Sequence, residues 1–196
     1  MHKYEKKTPL EYIDDLITIA EEPFDEKSRK LYRAIHVLGH EVNPDRYPLA
    51  KKLVESFLTH PHPDIRYISL MVLVLHWNCQ DHLETSVRFS QESPIIDPDE
   101  FFNPDYQNPR LGVSCIGSLL RGTKNPQYLY YLLSIFRNPP SEDIAYVSYC
   151  SILNLLGIPT NNHPSAASVF NVERDTNMQW LKDAEKIAVE WKKQQM

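Results

Sequence analysis

The stretch "HPDIRYISLMVLVLHW", residues 62–77, places an acid, an aliphatic residue and an arginine directly before an almost purely apolar run. A helix that begins at Asp64 and is buried on nearly all sides accounts for this order. Pro63 suits the start of such a helix because it lacks the N–H that a first turn leaves without an intrahelical partner, and Asp64 can cap it. Arg66 is then expected near the edge of the helix, where its guanidinium can reach carboxylates or carbonyls.

Helical periodicity dominates the rest of the chain. One apolar stripe is formed by Leu49, Leu53, Val54, Phe57 and Leu58, at the spacing that one face of a helix requires. There is no two-residue alternation and no Asn-Gly or Asp-Gly dipeptide to indicate a β-hairpin. The fifteen prolines fall mostly between the apolar stripes, where helices must begin or end. The sequence therefore predicts an all-α fold.

A short pattern recurs along the chain, with a fainter copy around Ala34. Each window has an aliphatic residue, a small residue four positions later, a small or apolar residue at the seventh step and an aliphatic residue at the eighth. Small residues at the fourth step let neighbouring helix backbones approach closely. The windows are Ile65, Arg66, Ser69, Val72 and Leu73; Leu111, Gly112, Cys115, Ser118 and Leu119; and Ile144, Ala145, Ser148, Ser151 and Ile152.

This pattern resembles HEAT repeats, helical hairpins whose first helix carries an Asp, an aliphatic–Arg pair and then small residues at fixed steps. "DIRYISLMVL" (64–73) is the closest match, and "RLGVSCIGSLL" (110–120) and "DIAYVSYCSIL" (143–153) are weaker ones. The resemblance covers residues 28–157. It implies one domain over residues 1–196, a right-handed α-solenoid of about four HEAT-like hairpins with a C-terminal capping helix, because stacked hairpins share a core that one hairpin cannot make alone.

Two irregular segments interrupt the pattern, an insertion loop at residues 92–109 and a linker at residues 158–176. The insertion loop mixes aromatic and acidic residues and carries no Lys or Arg between its ends. It suits a partner protein with a basic surface, since aromatic residues anchor and acids steer. Alternatively, Phe101 and Phe102 fold back over the ends of adjacent helices, which still leaves the acids on display. The predicted partner-binding residues are Asp97, Asp99, Glu100, Phe101, Phe102 and Tyr106 in this loop, and Glu84, Arg88, Tyr130 and Arg137 on the second helices of the hairpins.

The charge of −5 is unevenly distributed. Residues 53–109 hold two Lys or Arg against nine Asp or Glu, a net charge of −7 that repels phosphate backbones and makes nucleic acid an unlikely partner. The alternative function is a nucleic-acid-binding HEAT-like protein, or an enzyme similar to the HEAT-like DNA alkylation glycosylases, in which Tyr128, Tyr130 and Tyr131 would hold damaged duplexes. The competing interpretation is that these tyrosines pack with their hydroxyls at the rim of the core.

No catalytic or metal-binding motif is recognisable, since H-E-x-x-H, G-x-S-x-G, P-loop and G-x-G-x-x-G patterns are missing. His76, Cys79 and His82 are three residues apart on a predicted helical stretch, but steps of three drift around a helix and no fourth ligand is evident. Cys115 and Cys150 occupy apolar positions typical of a core. The sequence therefore predicts no metal, no cofactor and no catalytic residue.

These observations favour a non-catalytic protein-binding or scaffold module. Two particular forms of such a module are a neutralising immunity-type protein and a regulatory protein. The longest apolar run, Leu70 to Leu75, is far shorter than the roughly 20 residues that span a bilayer, so no membrane association is predicted. Three widely spaced cysteines without a C-x-x-C motif favour a reducing cytoplasm. The oligomeric state stays open.

Overall fold

A computed structural model describes residues 7–21, 27–92, 108–158 and 179–194. Over these residues the chain contains α-helices, short 3₁₀ and π turns and no strand, which confirms the prediction of an all-α fold. The chain divides into two compact units, unit 1 (Met1–His82) and unit 2 (Leu83–Met196), and the single HEAT-like domain stays a prediction. The described helices are α1 (Pro9–Glu21), α2 (Lys27–Glu41), α3 (Pro48–Ser56), α4 (Pro63–Met71), α5 (Leu83–Ser90), α6 (Asn108–Thr123), α7 (Pro126–Arg137), α8 (Glu142–Leu155) and α9 (Gln179–Gln194).

Helix α4 begins one residue earlier than predicted, and its cap is His62 rather than Asp64. Nδ1 of His62 accepts a hydrogen bond from the backbone N–H of Asp64 at 3.3 Å, and proline occupies the first helical position. The Asp64 carboxylate lies in the first turn instead, where it interacts favourably with the helix dipole. The predicted role of Arg66 is confirmed, because its guanidinium donates to the carbonyls of His60 at 3.1 Å and Pro61 at 3.0 Å.

In unit 1, α2 packs against both α1 and α4, and α3 packs beside α4. Most of the apolar run after Ile65 is buried as predicted, but Met71 is only half-buried and Leu75, at the end of the run, is 43% exposed. Gly39 on α2 lies directly against Val72, because a Cβ atom at Gly39 would come within 2.6 Å of a Val72 methyl group. The core of unit 1 includes Leu16, Leu31, Ile35, Leu38, Val54, Ile65, Ile68, Leu70 and Leu73, all of which have no exposed surface.

In unit 2, α6 packs against α5, α7 and α8, and α7 also packs against α8 and α9. Among the described helices, α6 therefore lies beside α8, and α7 lies beside α9. Gly117 on α6 makes one of these approaches possible, since a Cβ there would lie 2.5 Å from the Cβ of Ser151 on α8.

Of the small residues that mark the sequence pattern, Ser69, Cys115 and Ser148 are completely buried, whereas Ala34 of the fainter copy is half-buried. Ser148 on α8 donates a hydrogen bond to the carbonyl of Leu132 on α7 at 2.7 Å. The Cys115 thiol of α6 is hydrogen-bonded to Ser86 of α5. Two of the three marker residues thus bond directly to a neighbouring helix, whereas the Ser69 hydroxyl bonds to a carbonyl of its own helix.

The two irregular segments lie mostly outside the described residues. Of the insertion loop, the structure describes Glu92 and the two residues that open α6; of the linker, it describes Ile158 alone. The ends of the insertion are joined, because the Asn108 side-chain amide donates to the Glu92 carboxylate at 2.6 Å. The two described ends of this segment therefore lie close together.

Candidate functional site

The ten residues predicted to bind a partner divide between described and undescribed parts of the chain. Six belong to the insertion loop and lie outside the described residues: Asp97, Asp99, Glu100, Phe101, Phe102 and Tyr106. The other four are exposed on α5 and α7 in unit 2: Glu84, Arg88, Tyr130 and Arg137.

Helices α5, α7 and α9 are connected through their side chains. Ser90 Oγ on α5 and Tyr131 Oη on α7 lie 2.8 Å apart, within hydrogen-bond distance. Arg137 at the end of α7 forms an ion pair with Glu185 on α9. The helices that carry the predicted partner-binding residues, α5 and α7, are therefore linked to each other and to α9 within unit 2.

Three imidazoles from two segments of unit 1 form a histidine cluster of His36, His40 and His76. His36 and His40 are four residues apart on α2 and share one face. His76 ends the π-helical turn, Val72–His76, that follows α4. The Nε2 atoms of His36 and His40 are 3.3 Å apart, and the ring centroids of His40 and His76 are 4.2 Å apart. One ring nitrogen of each residue lies within 4.8 Å of the other two.

The position of His76 is held by its neighbours in the chain. The indole N–H of Trp77 donates to the Gly39 carbonyl of α2 at 3.1 Å. The Trp77 backbone N–H donates to the Val72 carbonyl at 2.9 Å, which closes a turn one residue wider than an α-helical turn. Together with the tight contact of Val72 against Gly39, these bonds fix the π-helical turn on α2 and keep His76 beside the other two imidazoles.

Burial and neighbouring imidazoles lower the pKa of two members of the cluster, His36 and His76. The pKa of His36 is lowered from its ordinary value, first by burial and then by the neighbouring His40. The pKa of His76 is lowered by burial and by both other imidazoles, and a hydrogen bond to the Gly39 carbonyl opposes this only in part. Because an ordinary histidine titrates at about 6.5, both side chains are mainly neutral at pH 7 and carry a nitrogen lone pair.

We expect the free energy of unfolding to fall as the pH is lowered from about 6.5, where histidines of the unfolded chain begin to take up protons. His36 and His76 have lower pKa values in the folded protein, so the unfolded state binds more protons from that pH down through the folded pKa values. Above this window the effect vanishes. Urea unfolding of the metal-free protein at a series of pH values measures how steeply the free energy of unfolding changes with pH.

The matched variant is His36→Gln, which removes one titrating imidazole and relieves His40 and His76 of a neighbour. Its unfolding free energy is expected to depend less on pH than that of the wild type between about pH 6.5 and 5. Equal slopes for the two proteins would show that the cluster does not carry the effect.

A second group, Glu55, Asp81 and His82, lies elsewhere in unit 1 and includes a cation of its own. Lys51 Nζ lies 2.8 Å from an Asp81 oxygen and 3.5 Å from a Glu55 oxygen, and His82 Nε2 lies 3.3 Å from Glu55. The hydrogen bond from Lys51 lowers the pKa of Asp81. Because Lys51 already pairs with both carboxylates, this group is an ion-pair network.

The predicted helical grouping of His76, Cys79 and His82 is wrong. Asn78 has a positive φ of 52°, so the helical stretch ends there. Cys79 lies in the connection that follows, and His82 lies in a 3₁₀ turn. As a result His76 belongs to the histidine cluster and His82 to the ion-pair network.

A groove of about 390 Å³ runs between α6 and α8 in unit 2. Both of its arginines are engaged: Arg110 pairs with Asp143 at 3.1 Å, and Arg121 donates to the Asn154 carbonyl at 3.1 Å. Burial raises the pKa of the Cys150 thiol, which lines the groove. A nucleophilic cysteine requires a lowered pKa, so this groove has no activated thiol.

Sequence reasoning missed His36 and His40. The available signal was their spacing, H-x-x-x-H within a helical pattern, which places two imidazoles on one helix face as in zinc-binding H-E-x-x-H motifs. The third imidazole carried no such signal, because only the packing of α2 beside α4 brings His76 to them.

Comparisons of the chain with protein-family models, with curated proteins and with solved structures found no match. Within the described ranges, every helix is too short or too polar to cross a membrane. The class that the fold and the site define is an all-α protein of packed helices that carries a cluster of three histidines.

Proposed function

We propose that this protein is a non-catalytic, HEAT-like helical-repeat module that binds another protein. The observation that carries the proposal is the packing of the described helices of unit 2, in which α6 lies beside α8 and α7 beside α9. Stacked hairpins bring first helices together with first helices and second helices with second helices. The particular form proposed is a right-handed α-solenoid of about four hairpins, with α9 as its C-terminal cap.

Small residues at the contacts between helices support this form. Gly112 of α6 lies against the backbone of α5, where a Cβ would come within 2.3 Å of the Ser90 nitrogen. Cys115 and Ser148, at the fourth step of the same pattern, are completely buried. Small side chains at regular steps are what a stack of closely packed hairpins needs in order to share one core.

The partner proposed is a protein with a basic surface. The exposed residues of α5 and α7 carry both signs of charge, whereas binding to a phosphate backbone calls for an excess of Lys and Arg. Residues 53–109 have a net charge of −7, which attracts a basic partner. A neutralising immunity-type role or a regulatory role in the cytoplasm is the proposed setting.

The state of the cysteines supports a role without covalent catalysis. Burial raises the pKa of the Cys115 thiol far above its ordinary value. Burial also raises the pKa of Cys79 and Cys150. Thiols that act as nucleophiles have lowered pKa values and electropositive surroundings, so these three cysteines are suited to packing.

Photocrosslinking tests the proposal on the full-length protein in its native host. A benzophenone amino acid in place of Tyr130, 41% exposed on α7, is expected to capture one reproducible protein. The matched control is the same amino acid in place of Arg121, which is exposed on α6, a first helix of the proposed stack. With the captured protein purified, Glu84→Arg on α5 is expected to weaken binding by about tenfold or more, which corresponds to about 1.4 kcal/mol, because it places a positive charge against a basic surface.

Equal capture from positions 130 and 121, or unchanged affinity of the Glu84→Arg variant, would argue against this surface. A gel shift with duplex DNA distinguishes the proposed protein-binding function from the alternative, a protein that binds nucleic acid. Retardation that weakens steeply as salt is raised would favour a nucleic-acid-binding protein, because phosphate contacts release counterions.

A further inference from the structure

We propose that the histidine cluster of His36, His40 and His76 is a binding site for one divalent transition-metal ion, and that Zn²⁺ is the ion it suits best. The site lies wholly within unit 1 and is separate from the surface proposed to bind a partner. It requires three nitrogen ligands from the protein and one further ligand from solvent.

The spacing of the imidazoles fits a tetrahedral zinc ion. Zn–N bonds of about 2.0–2.1 Å at a tetrahedral angle place two ligand nitrogens about 3.3–3.4 Å apart. The Nε2 atoms of His36 and His40 are separated by 3.3 Å. One ring nitrogen of each of the three residues lies within 4.8 Å of the other two, so a small rotation of side chains brings the third ligand to the same ion.

The protein backbone holds these ligands before any ion arrives. Two of them are on successive turns of α2, and the third is carried by the π-helical turn that the Trp77 indole and the Gly39–Val72 contact fix on α2. A π-helical turn is a less favourable conformation than a continued α-helix and is found frequently at functional sites. Here the wide turn ends at His76 itself.

The chemistry of the cluster selects the class of metal. Imidazole nitrogens suit Zn²⁺, Cu²⁺ and Ni²⁺, whereas Mg²⁺ and Ca²⁺ require oxygen ligands. Three neutral ligands leave the ion's charge of +2 uncompensated, and they favour water, hydroxide or a carboxylate as the fourth ligand.

The site remains open on one side. His40 is exposed and the other two members are half-buried, so solvent reaches the fourth position. Three protein ligands with one open position are typical of catalytic zinc, whereas structural zinc has four protein ligands. Val37 occupies the position at which an H-E-x-x-H motif has its general base, so the site has the metal ligands without the acid of that motif.

Isothermal titration of the full-length, chelator-treated protein with Zn²⁺ alone tests the proposal. We expect one ion per chain. His40→Ala is expected to weaken the affinity at least about 100-fold, because even hydrogen-bonding partners of zinc ligands contribute about 10- to 100-fold. His40 is exposed, so this variant should fold; His36→Gln provides a second ligand deletion, with circular dichroism as the check on folding.

The matched control is Asp81→Asn, which removes an exposed carboxylate from the ion-pair network of Glu55, Asp81 and His82. We expect it to bind Zn²⁺ as the wild type does. Titration with Co²⁺ adds a spectroscopic readout, because its visible absorption is intense in four-coordinate sites and weak in six-coordinate ones. No binding by the wild type, unchanged binding by His40→Ala and His36→Gln, loss of binding in Asp81→Asn, or a six-coordinate spectrum would each overturn the proposal.

Discussion

Phe89→Ala is expected to lower the free energy of unfolding by about 3–5 kcal/mol, the largest effect that we predict for a single substitution. Phe89 lies on α5 and is the largest of the completely buried side chains in the described part of the chain. Its removal loses the transfer free energy of the ring and leaves a cavity that the surrounding helices can fill only in part. Urea unfolding followed by circular dichroism measures the change.

The control is Arg88→Ala, at the neighbouring exposed position of the same helix. The guanidinium of Arg88 lies 5.9 Å from the centroid of the Phe89 ring, and losing this cation–π contact costs about 0.5–1 kcal/mol at an exposed site. If Phe89→Ala were no more destabilising than Arg88→Ala, the ring could not be part of a well-packed core.

Gly112→Ala is expected to destabilise the protein by about 3 kcal/mol, although alanine is intrinsically the better helix former. A Cβ atom at position 112 would lie 2.3 Å from the Ser90 nitrogen and 2.5 Å from the Ser86 carbonyl oxygen. Both atoms belong to the backbone of α5, so no flexible side chain can move aside, and the two helices must separate. The same urea titration measures the loss.

Gly122→Ala is the matched control, since Gly122 is exposed near the end of α6 and does not have a positive φ. There the exchange is expected to raise stability, by up to about 1 kcal/mol, because only helix propensity changes. Opposite signs for the two glycines would support close packing of α5 against α6. A stabilising effect at both positions would contradict it.

The histidine cluster and the proposed binding surface can be tested independently, because they lie in different units and use different side chains. A Zn²⁺ ion in the cluster would bind a ligand at its open coordination position. The surface of α5 and α7 would instead bind a partner through exposed aromatic and charged side chains. Failure of zinc binding would leave the protein-binding proposal intact, and failure of crosslinking at position 130 would leave the zinc site intact.

The all-α fold and the burial of particular small residues were predictable from the sequence. The apolar run after Arg66 and the small residues at recurring steps are local patterns, and each local pattern specifies which side of a helix is buried. Gly112, Cys115 and Ser148 are all buried in the structure, as the pattern requires. The start of α4 was predicted to within one residue, but its cap was not, because a histidine can take the role usually filled by Asp or Ser.

The sequence by itself determined that helices form, which of their faces are apolar, and that His36 and His40 share one helix face. Only the tertiary structure decided that the helical stretch stops at Asn78 and that His76 turns toward α2. The physical reason is the range of the interactions involved. Helical faces follow from neighbours three and four residues apart, whereas the third imidazole reaches the other two through the packing of α2 beside α4 and the Trp77 bond to Gly39, which no local pattern encodes.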